Sequence, residues 1–420
     1  MPEARITEQV ILQIGDLHYP DFASATTRVD NHDNSVPGAL DSSLGLPIPH
    51  AIKRAIEFQL SSNPSAILAI CGDLTTRGDA QAFRDAARYL ATIAQKAKHP
   101  QDFEYVHVVP GNHDVAYRGS QPFVSFEDVA RFEELATTAE EEGLRNFTVT
   151  SRSSSYGSGY GGVDFVSINT CRGAGATREA AAEVSGVSAA TESSDSAEIL
   201  DIPLFHPHEM SVIQDRWGTL DQRLFPVMLG HHGLLPQRIP RLNPYTEMAN
   251  AGQARYALAS LGRTVLYLHG HIHERSTEVI AFPQGSIPTP QGRLVIVSAP
   301  ELHEGFNKIT VKFDPEGYPF GLRIEYFAMA RGDQSLSRER TIEIPLGDSM
   351  NQSRSQRKIL EYLVREGRAT GFELLAERDR LSLDVTDNGI ETFVEKLCWS
   401  GILRKTDLLE VQFNRAGFTL

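Results

Sequence analysis

Short apolar runs, each closed by glycine or a polar residue, alternate with longer stretches whose apolar residues recur at helical spacing. The runs at 10–14, 66–71 and 105–109 read as buried strands, because Val, Ile and Ala dominate them and a pleated surface packs such side chains well. Between them, 49–60 reads as a helix, and 79–97 places Phe83, Ala86, Leu90 and Ile93 on one helical face. This β-α-β alternation predicts a sheet flanked by helices. Further along, the pattern predicts a helix over 123–142 and a strand over 163–169. His206-Pro207-His208-Glu209 opens a helix that turns Met210, Ile213, Trp217 and Leu220 to one side, and strands follow at 226–229 and 264–269. Stretches at 294–297, 308–313 and 321–327, with a turn at Asp314-Pro315-Glu316-Gly317, are expected to complete a second sheet.

Two segments interrupt this regularity. Residues 26–47 are rich in Asn, Asp, Ser and Gly and exceed the roughly 12–15 residues usual for an unstructured connection, so a binding loop or an insertion is expected. Residues 172–198 turn to Ala, Gly, Ser and Glu with almost no bulky side chain, which predicts a mobile surface insertion.

A polar run at 347–355 marks a boundary, dividing the chain into 1–346 and 347–420. Beyond it, helices are predicted at 356–366, 371–380 and 387–399, followed by a β-ribbon. This stretch, with Glu373-Leu374-Leu375-Ala376-Glu377 and Val394 to Leu403, resembles a winged helix, a small α+β module. Such modules place their third helix in a DNA major groove, where cationic side chains neutralise phosphate. Here that helix carries Asp387, Glu391 and Glu395 against Lys396, which favours protein contact, dimerisation or regulation over DNA binding. Arg404 and Lys405, at the expected wing, keep the nucleic-acid alternative open.

Composition narrows the class. With 420 residues, 41% hydrophobic and 22% charged, the chain has material for two or three domains and an ample core. No run approaches the ~18 apolar residues of a spanning helix, and Met1 to Arg5 leads into no apolar signal core. Cys71, Cys171 and Cys398 form no spaced pattern, so buried inert thiols and a cytoplasmic location are expected, without a membrane partner. The formal charge of −14 lies entirely in the first 350 residues, with 29 Lys and Arg against 43 Asp and Glu. An acidic body is unlike a non-specific nucleic-acid clamp. Bound cations would reverse the sign locally and admit a small nucleotide or a strand end.

The chemistry is concentrated where strands end. Asp16-Leu17-His18, Gly72-Asp73, Gly111-Asn112-His113-Asp114, Gly230-His231-His232 and Gly270-His271-Ile272-His273 each follow an apolar run. Sheet enzymes bind ligands in the crevice beyond their strand ends, so five such motifs in series point to one site. Carboxylate, imidazole and amide oxygen without thiolate suit manganese, iron or zinc, and there are ligands enough for two adjacent divalent cations.

In the order D-x-H, G-D, G-N-H-D, H and G-H-x-H, from Asp16 to His273, the chain resembles the calcineurin-like metallophosphoesterase superfamily, over about three quarters of its length. The wording Gly72-Asp73-Leu74-Thr75-Thr76-Arg77-Gly78 and Pro110-Gly111-Asn112-His113-Asp114 is most similar to the class III cyclic-nucleotide phosphodiesterases. The resemblance implies an α/β fold, a four-layer αββα sandwich of two mixed sheets. It also implies that Asp16, His18 and His273 hold one cation, that Asn112, His231 and His271 hold the other, and that Asp73 bridges them. Manganese is the expected metal, with iron or zinc as alternatives. Two ions about 3.5–4 Å apart clamp the attacking and leaving oxygens of a phosphoester and acidify a shared water, so the implied nucleophile is the bridging hydroxide. His113 would protonate the departing alkoxide, and Asp114 would orient His113.

Arg77 and His232 are candidates for substrate binding: Arg77 within reach of a bound phosphate, His232 beside a ligand, where it could equally serve as a ligand's hydrogen-bond partner or as an exposed turn residue. His269 reads as a core histidine, His206 and His208 as parts of a helix start, and His303 as a residue of the cleft rim that no motif supports. The functional expectation is a phosphodiesterase acting on a nucleotide or cyclic nucleotide. The alternatives are a DNA or RNA nuclease guided by the C-terminal module, and a sensor that keeps the metal site for binding. A homo-oligomer or protein partner through the C-terminal module is a further expectation.

Overall fold

The computed structural model describes residues 7–24, 26–27, 46–96, 105–115, 124–158, 161–176, 200–236, 248–281, 292–329, 336–346, 354–400, 403–405 and 410–413. Strands β1 (Thr7–Ile14), β2 (Ile67–Ile70) and β3 (Val106–Val108) begin one sheet. The chain then builds a second sheet from β4 (Ser151–Ser158), β5 (Gly161–Ile168), β6 (Leu224–Leu229), β7 (Thr264–His269), β8 (Ser276–Ala281) and β9 (Arg293–Ser298). It returns to the first sheet with β10 (Gly305–Phe313), β11 (Pro319–Met329) and β12 (Leu336–Pro345). The two orders are β12-β11-β10-β1-β2-β3 and β8-β9-β7-β6-β5-β4. Both sheets are mixed: β1 runs parallel to β2 and antiparallel to β10, while β9 is parallel to β7 and antiparallel to β8.

This corrects one expectation. The stretches 308–313 and 321–327 complete the first sheet, not the second, because β10 takes the open edge of β1 from Thr7↔Phe313 to Gln13↔Asn307. The helix expected over 123–142 is confined to Ala130–Glu141, where Asp128 accepts the Ala130 N–H. The loop expected over 26–47 lies outside the described residues apart from a short pairing of 26–27 with 46–47. Of the insertion expected over 172–198, residues 177–198 also lie outside them, whereas Gly173–Ala176 forms a strand paired with Leu200–Ile202 and Arg172 is buried.

Packing explains the layers. Ile11, Ile67 and Val109 meet Phe165, Val227, Leu266 and Val295 between the sheets, so alternate residues of both sheets share one dry interior. Their opposite faces are covered by helices α1 (Ile48–Ser62) and α2 (Ala80–Ala94) on the first sheet, and by α4 (Pro207–Gly218) and α5 (Ala251–Ala259) on the second, with α3 (Ala130–Glu141) beside α2. The result is the αββα sandwich. A polar tie crosses the interior: Gln13 donates to the carbonyls of His269 and Val297, at 3.0 Å each, and accepts from Asn307 at 2.9 Å.

The C-terminal stretch contains α6 (Arg354–Glu366), α7 (Gly371–Arg380) and α8 (Asp387–Trp399), with a three-stranded sheet formed by Arg368–Thr370, Leu403–Lys405 and Glu410–Phe413. Ile359, Leu363, Leu374, Ile390, Phe393 and Leu397 give it a core of its own. Its third helix packs on the first sheet. Lys312 bonds Glu395 at 2.7 Å, Lys396 bonds Asp314 at 2.6 Å, and the Trp399 ring covers Gly321, where any Cβ would come within 2.7 Å of it. No described helix is long and apolar enough to cross a membrane.

Candidate metal centre

Strand ends deliver the site. Asp16 and His18 follow β1, Asp73 follows β2, Asn112 and His113 follow β3, His231 follows β6, and His271 and His273 follow β7. To point side chains back over the ends of the strands, the chain turns abruptly. Asp16, His18, Asp73, His271 and His273 have φ of 26, 52, 50, 67 and 56°, in the left-handed region that non-glycine residues rarely occupy. Such residues cost about 1 kcal/mol or more each and collect at functional sites, where the surrounding fold holds them. Gly72, at φ 92°, and Gly111 let two turns meet: a Cβ on Gly72 would lie 2.6 Å from Gly111 N.

Two groups of donor atoms result. Asp16, His18, Asp73 and His273 form one, and His231, His232 and His271 the other, the ligand atoms of each lying within 4.8 Å of one another. His18 Nε2 and His273 Nε2 are 3.1 Å apart. Asn112 Oδ1 lies 2.9 Å from His231 Nε2 and 3.3 Å from His271 Nδ1, which adds it to the second group. Asp73 joins the groups, since its Oδ2 is 3.4 Å from His231 Nε2. The Cys71 carbonyl accepts from His231 Nδ1 at 2.7 Å and so leaves Nε2 as the coordinating nitrogen.

The donor set fits cations. Asp16 Oδ2, Asp73 Oδ2, His18 Nδ1 and His232 Nε2 are buried without a hydrogen-bond partner, a condition that costs roughly 1–3 kcal/mol per group unless something else satisfies it. The electrostatics agree. Burial pushes the Asp16 carboxyl up to about 6, with the Asp73 charge adding to the rise. Burial would raise Asp73 too, but the imidazoles of His231, His113 and His18 hold it well below the usual carboxylate range. Burial pushes His231 down, yet the Asp73 and Asp16 carboxylates overcome this and lift it to about 10. Burial keeps His271 and His232 well below the ordinary imidazole range, hence neutral and ready to coordinate.

Other expected site residues fall differently. His113 stands beside the groups, its backbone N–H on Asp73 Oδ1 at 2.9 Å and its Nδ1 donating to the Thr76 carbonyl at 2.8 Å. Asp114 does not orient that ring through a carboxylate contact as expected. Its oxygens accept the backbone N–H groups of Gly111 and Thr75, at 2.9 Å each, and pin the turn, while Thr76 positions the imidazole. Burial pushes the Asp114 carboxyl up to about 7. His232 is not placed for substrate contact: it is fully buried, its Nδ1 2.9 Å from Thr170 Oγ1 and its ring 4.5 Å from His271, within the second donor group. Arg77 is exposed and is not among the residues that wall the cavity beside the first donor group. His269 is a core histidine, and His206 caps α4 while contacting Glu127 at 2.8 Å.

A cavity of about 400 Å³ opens beside the first group, walled by His18, His113, His273, Thr76, Asp21 and Phe22, with Glu301 and His303. Sequence reasoning missed Glu301, which hydrogen-bonds His273 Nδ1 and lies 2.9 Å from His303 Nδ1. Only its position in Glu301-Leu302-His303-Glu304 hinted at it.

Fold and site together define a class of protein, an αββα sandwich that gathers two groups of metal-ligating side chains at its strand ends. The family model for calcineurin-like phosphoesterases matches residues 10–275, more than half of the chain, and the chain belongs to that family, whose members use a dinuclear metal centre. Among solved structures it is similar to a 5'-nucleotidase precursor from Thermus thermophilus (13% identity, TM-score 0.39, 77% of this chain and 55% of that one). It is also similar to the calcineurin-like phosphoesterase YfkN from Bacillus subtilis (11% identity, TM-score 0.34, 83% and 93%). A third is a putative 5'-nucleotidase from Staphylococcus aureus in complex with alpha-ketoglutarate (11% identity, TM-score 0.39, 83% and 56%). The chain thus spans little more than half the length of the two nucleotidase chains. No curated protein matches it.

Proposed function

We propose that this protein is a phosphodiesterase acting on a nucleotide or cyclic nucleotide, with manganese as its metal. The observation that carries the reading is the cavity: at about 400 Å³ it falls within the roughly 300–1,000 Å³ typical of small-molecule sites, and it sets His113 beside the donor groups. Asp16, His18, Asp73 and His273 would hold one cation, and Asn112, His231 and His271, with His232 against them, the other. When bound, such ions supply positive charge to the phosphoryl oxygens and acidify water. The chain's own residues do the rest. Thr76 fixes the proton on His113 Nδ1, so Nε2 is the atom through which His113 protonates the departing oxygen. Leu17 and Phe22 give the wall an apolar patch suited to a nucleobase.

A duplex nuclease is less well supported. The body is acidic, and α8, the helix a winged-helix-like module would send into a groove, is engaged on β11 through Trp399. The test is a manganese-supplemented panel of cyclic mononucleotides, dinucleotides, mononucleotides and nucleic acids, run on the wild type and Asp73→Ala. Cleavage of small diesters that vanishes in Asp73→Ala is expected. Preferential release of inorganic phosphate from mononucleotides would overturn the diesterase reading, and activity unaffected by the substitution would overturn the site.

A further inference from the structure

The motif pattern stops at His273, yet the cavity wall continues into Glu301 and His303. Glu301 serves two imidazoles with one carboxylate: Oε1 takes Nδ1 of His273, in the first donor group, and Oε2 takes Nδ1 of His303. The backbone holds this pair against the site, since Glu301 bridges to Gly15 and the Leu302 N–H donates to the Asp16 carbonyl at 3.2 Å. His303 is the partner left open, with 43% of its side chain exposed. With Nδ1 committed to Glu301, Nε2 is the ring nitrogen it can offer to a ligand. A histidine kept only for packing has no need of a charged orienting group at the wall of a cavity.

Building on the proposed phosphoester chemistry, we propose that His303 is a substrate-binding residue that, as an imidazolium with Nδ1–H given to Glu301, donates from Nε2–H to an anionic oxygen of the phosphoester, and that Glu301 is a positioning residue that keeps His303 in register with His273. Such an arm would act on binding, with little part in the bond-breaking step, because it stands outside both donor groups.

The test uses the full chain loaded with manganese, in the wild type, His303→Ala, His303→Lys and Glu301→Gln. Calorimetry reads the affinity for inorganic phosphate, kinetics on bis(p-nitrophenyl) phosphate read KM and kcat, and elemental analysis reads bound manganese. For His303→Ala, phosphate affinity should fall and KM rise by roughly tenfold, the worth of one charge-assisted hydrogen bond at a half-open site, with kcat and manganese content nearly unchanged. His303→Lys should recover most of the affinity, and Glu301→Gln should lose both phosphate affinity and manganese. Wild-type turnover with unchanged phosphate affinity and KM in His303→Ala would overturn the His303 role while leaving the enzyme reading intact. A loss in His303→Ala that comes with lost manganese, and that lysine does not rescue, would also overturn it, by showing a structural role. A manganese-loaded wild type that neither binds phosphate nor cleaves the diester would remove both.

Discussion

Replacing Gly111 by alanine tests how the centre is built. Gly111 sits at φ −100° and ψ 169°, which alanine adopts without strain, so any effect must come from the added methyl group. That methyl would lie 2.0 Å from Asp73 Oδ1 and 2.1 Å from Asp73 N. Carbon contacts settle nearer 3.5 Å, so the two turns would have to part by about 1 Å or more. Overpacking of this kind costs about 1–3 kcal/mol of stability. Function should fall by a comparable amount: a shift of that size costs about 10²-fold in rate, about 2.7 kcal/mol, and a disturbed ligand costs about 10–100-fold in metal affinity. Calorimetric manganese titration, hydrolysis of bis(p-nitrophenyl) phosphate and thermal melts, run beside Gly218→Ala, whose Cβ meets nothing within 4 Å, measure all three quantities. Wild-type manganese affinity and turnover in Gly111→Ala would refute the claim that this close approach sets the position of Asp73.

His113→Ala should lower kcat by about 10²–10⁴-fold while manganese content holds, since the ring belongs to neither donor group; parallel loss of metal would count against its role as proton donor. His107, between the sheets, gives a pH prediction. Burial pushes it down to about 3, while the unfolded imidazole titrates near 6.5. Below pH 6.5 the unfolded chain takes up a proton that the folded chain refuses. The contribution of His107 is therefore complete above pH 6.5 and shrinks as pH falls towards 3. Between pH 7 and 5 this amounts to about 2 kcal/mol, which His107→Gln should remove from the pH dependence of urea unfolding; equal losses in both proteins would contradict the assignment.

What was legible in the chain was what is local. Asp16, Asp73, Asn112, His231, His271 and His273 were readable because each closes an apolar run, and a strand end is written in consecutive residues. The order of strands is not. Nothing in 305–313 states that it pairs with 7–13, so the apolar pattern alone puts the late strands in the wrong sheet. β4 escapes the same pattern because most of its described serines are exposed and Tyr156 alone of its described side chains is buried, so no apolar alternation announces it. In the site, Thr76, Glu301 and the Cys71 carbonyl act through contacts made only by folding, and His232 could be placed in the second donor group only once Thr170 was seen to hold it.

The family match ends at residue 275, but the sheet that carries Asp16 does not. β1 lies in the middle of its sheet, and the strand along its far side arrives from Gly305–Phe313, after the chain has made the whole second sheet. The matched portion is therefore no self-sufficient unit: cut there, it would bare a long edge beside its first ligand and lose the Glu301 that steadies its last. The closing hairpins beyond that point are as much a part of the centre as the motifs by which it is recognised.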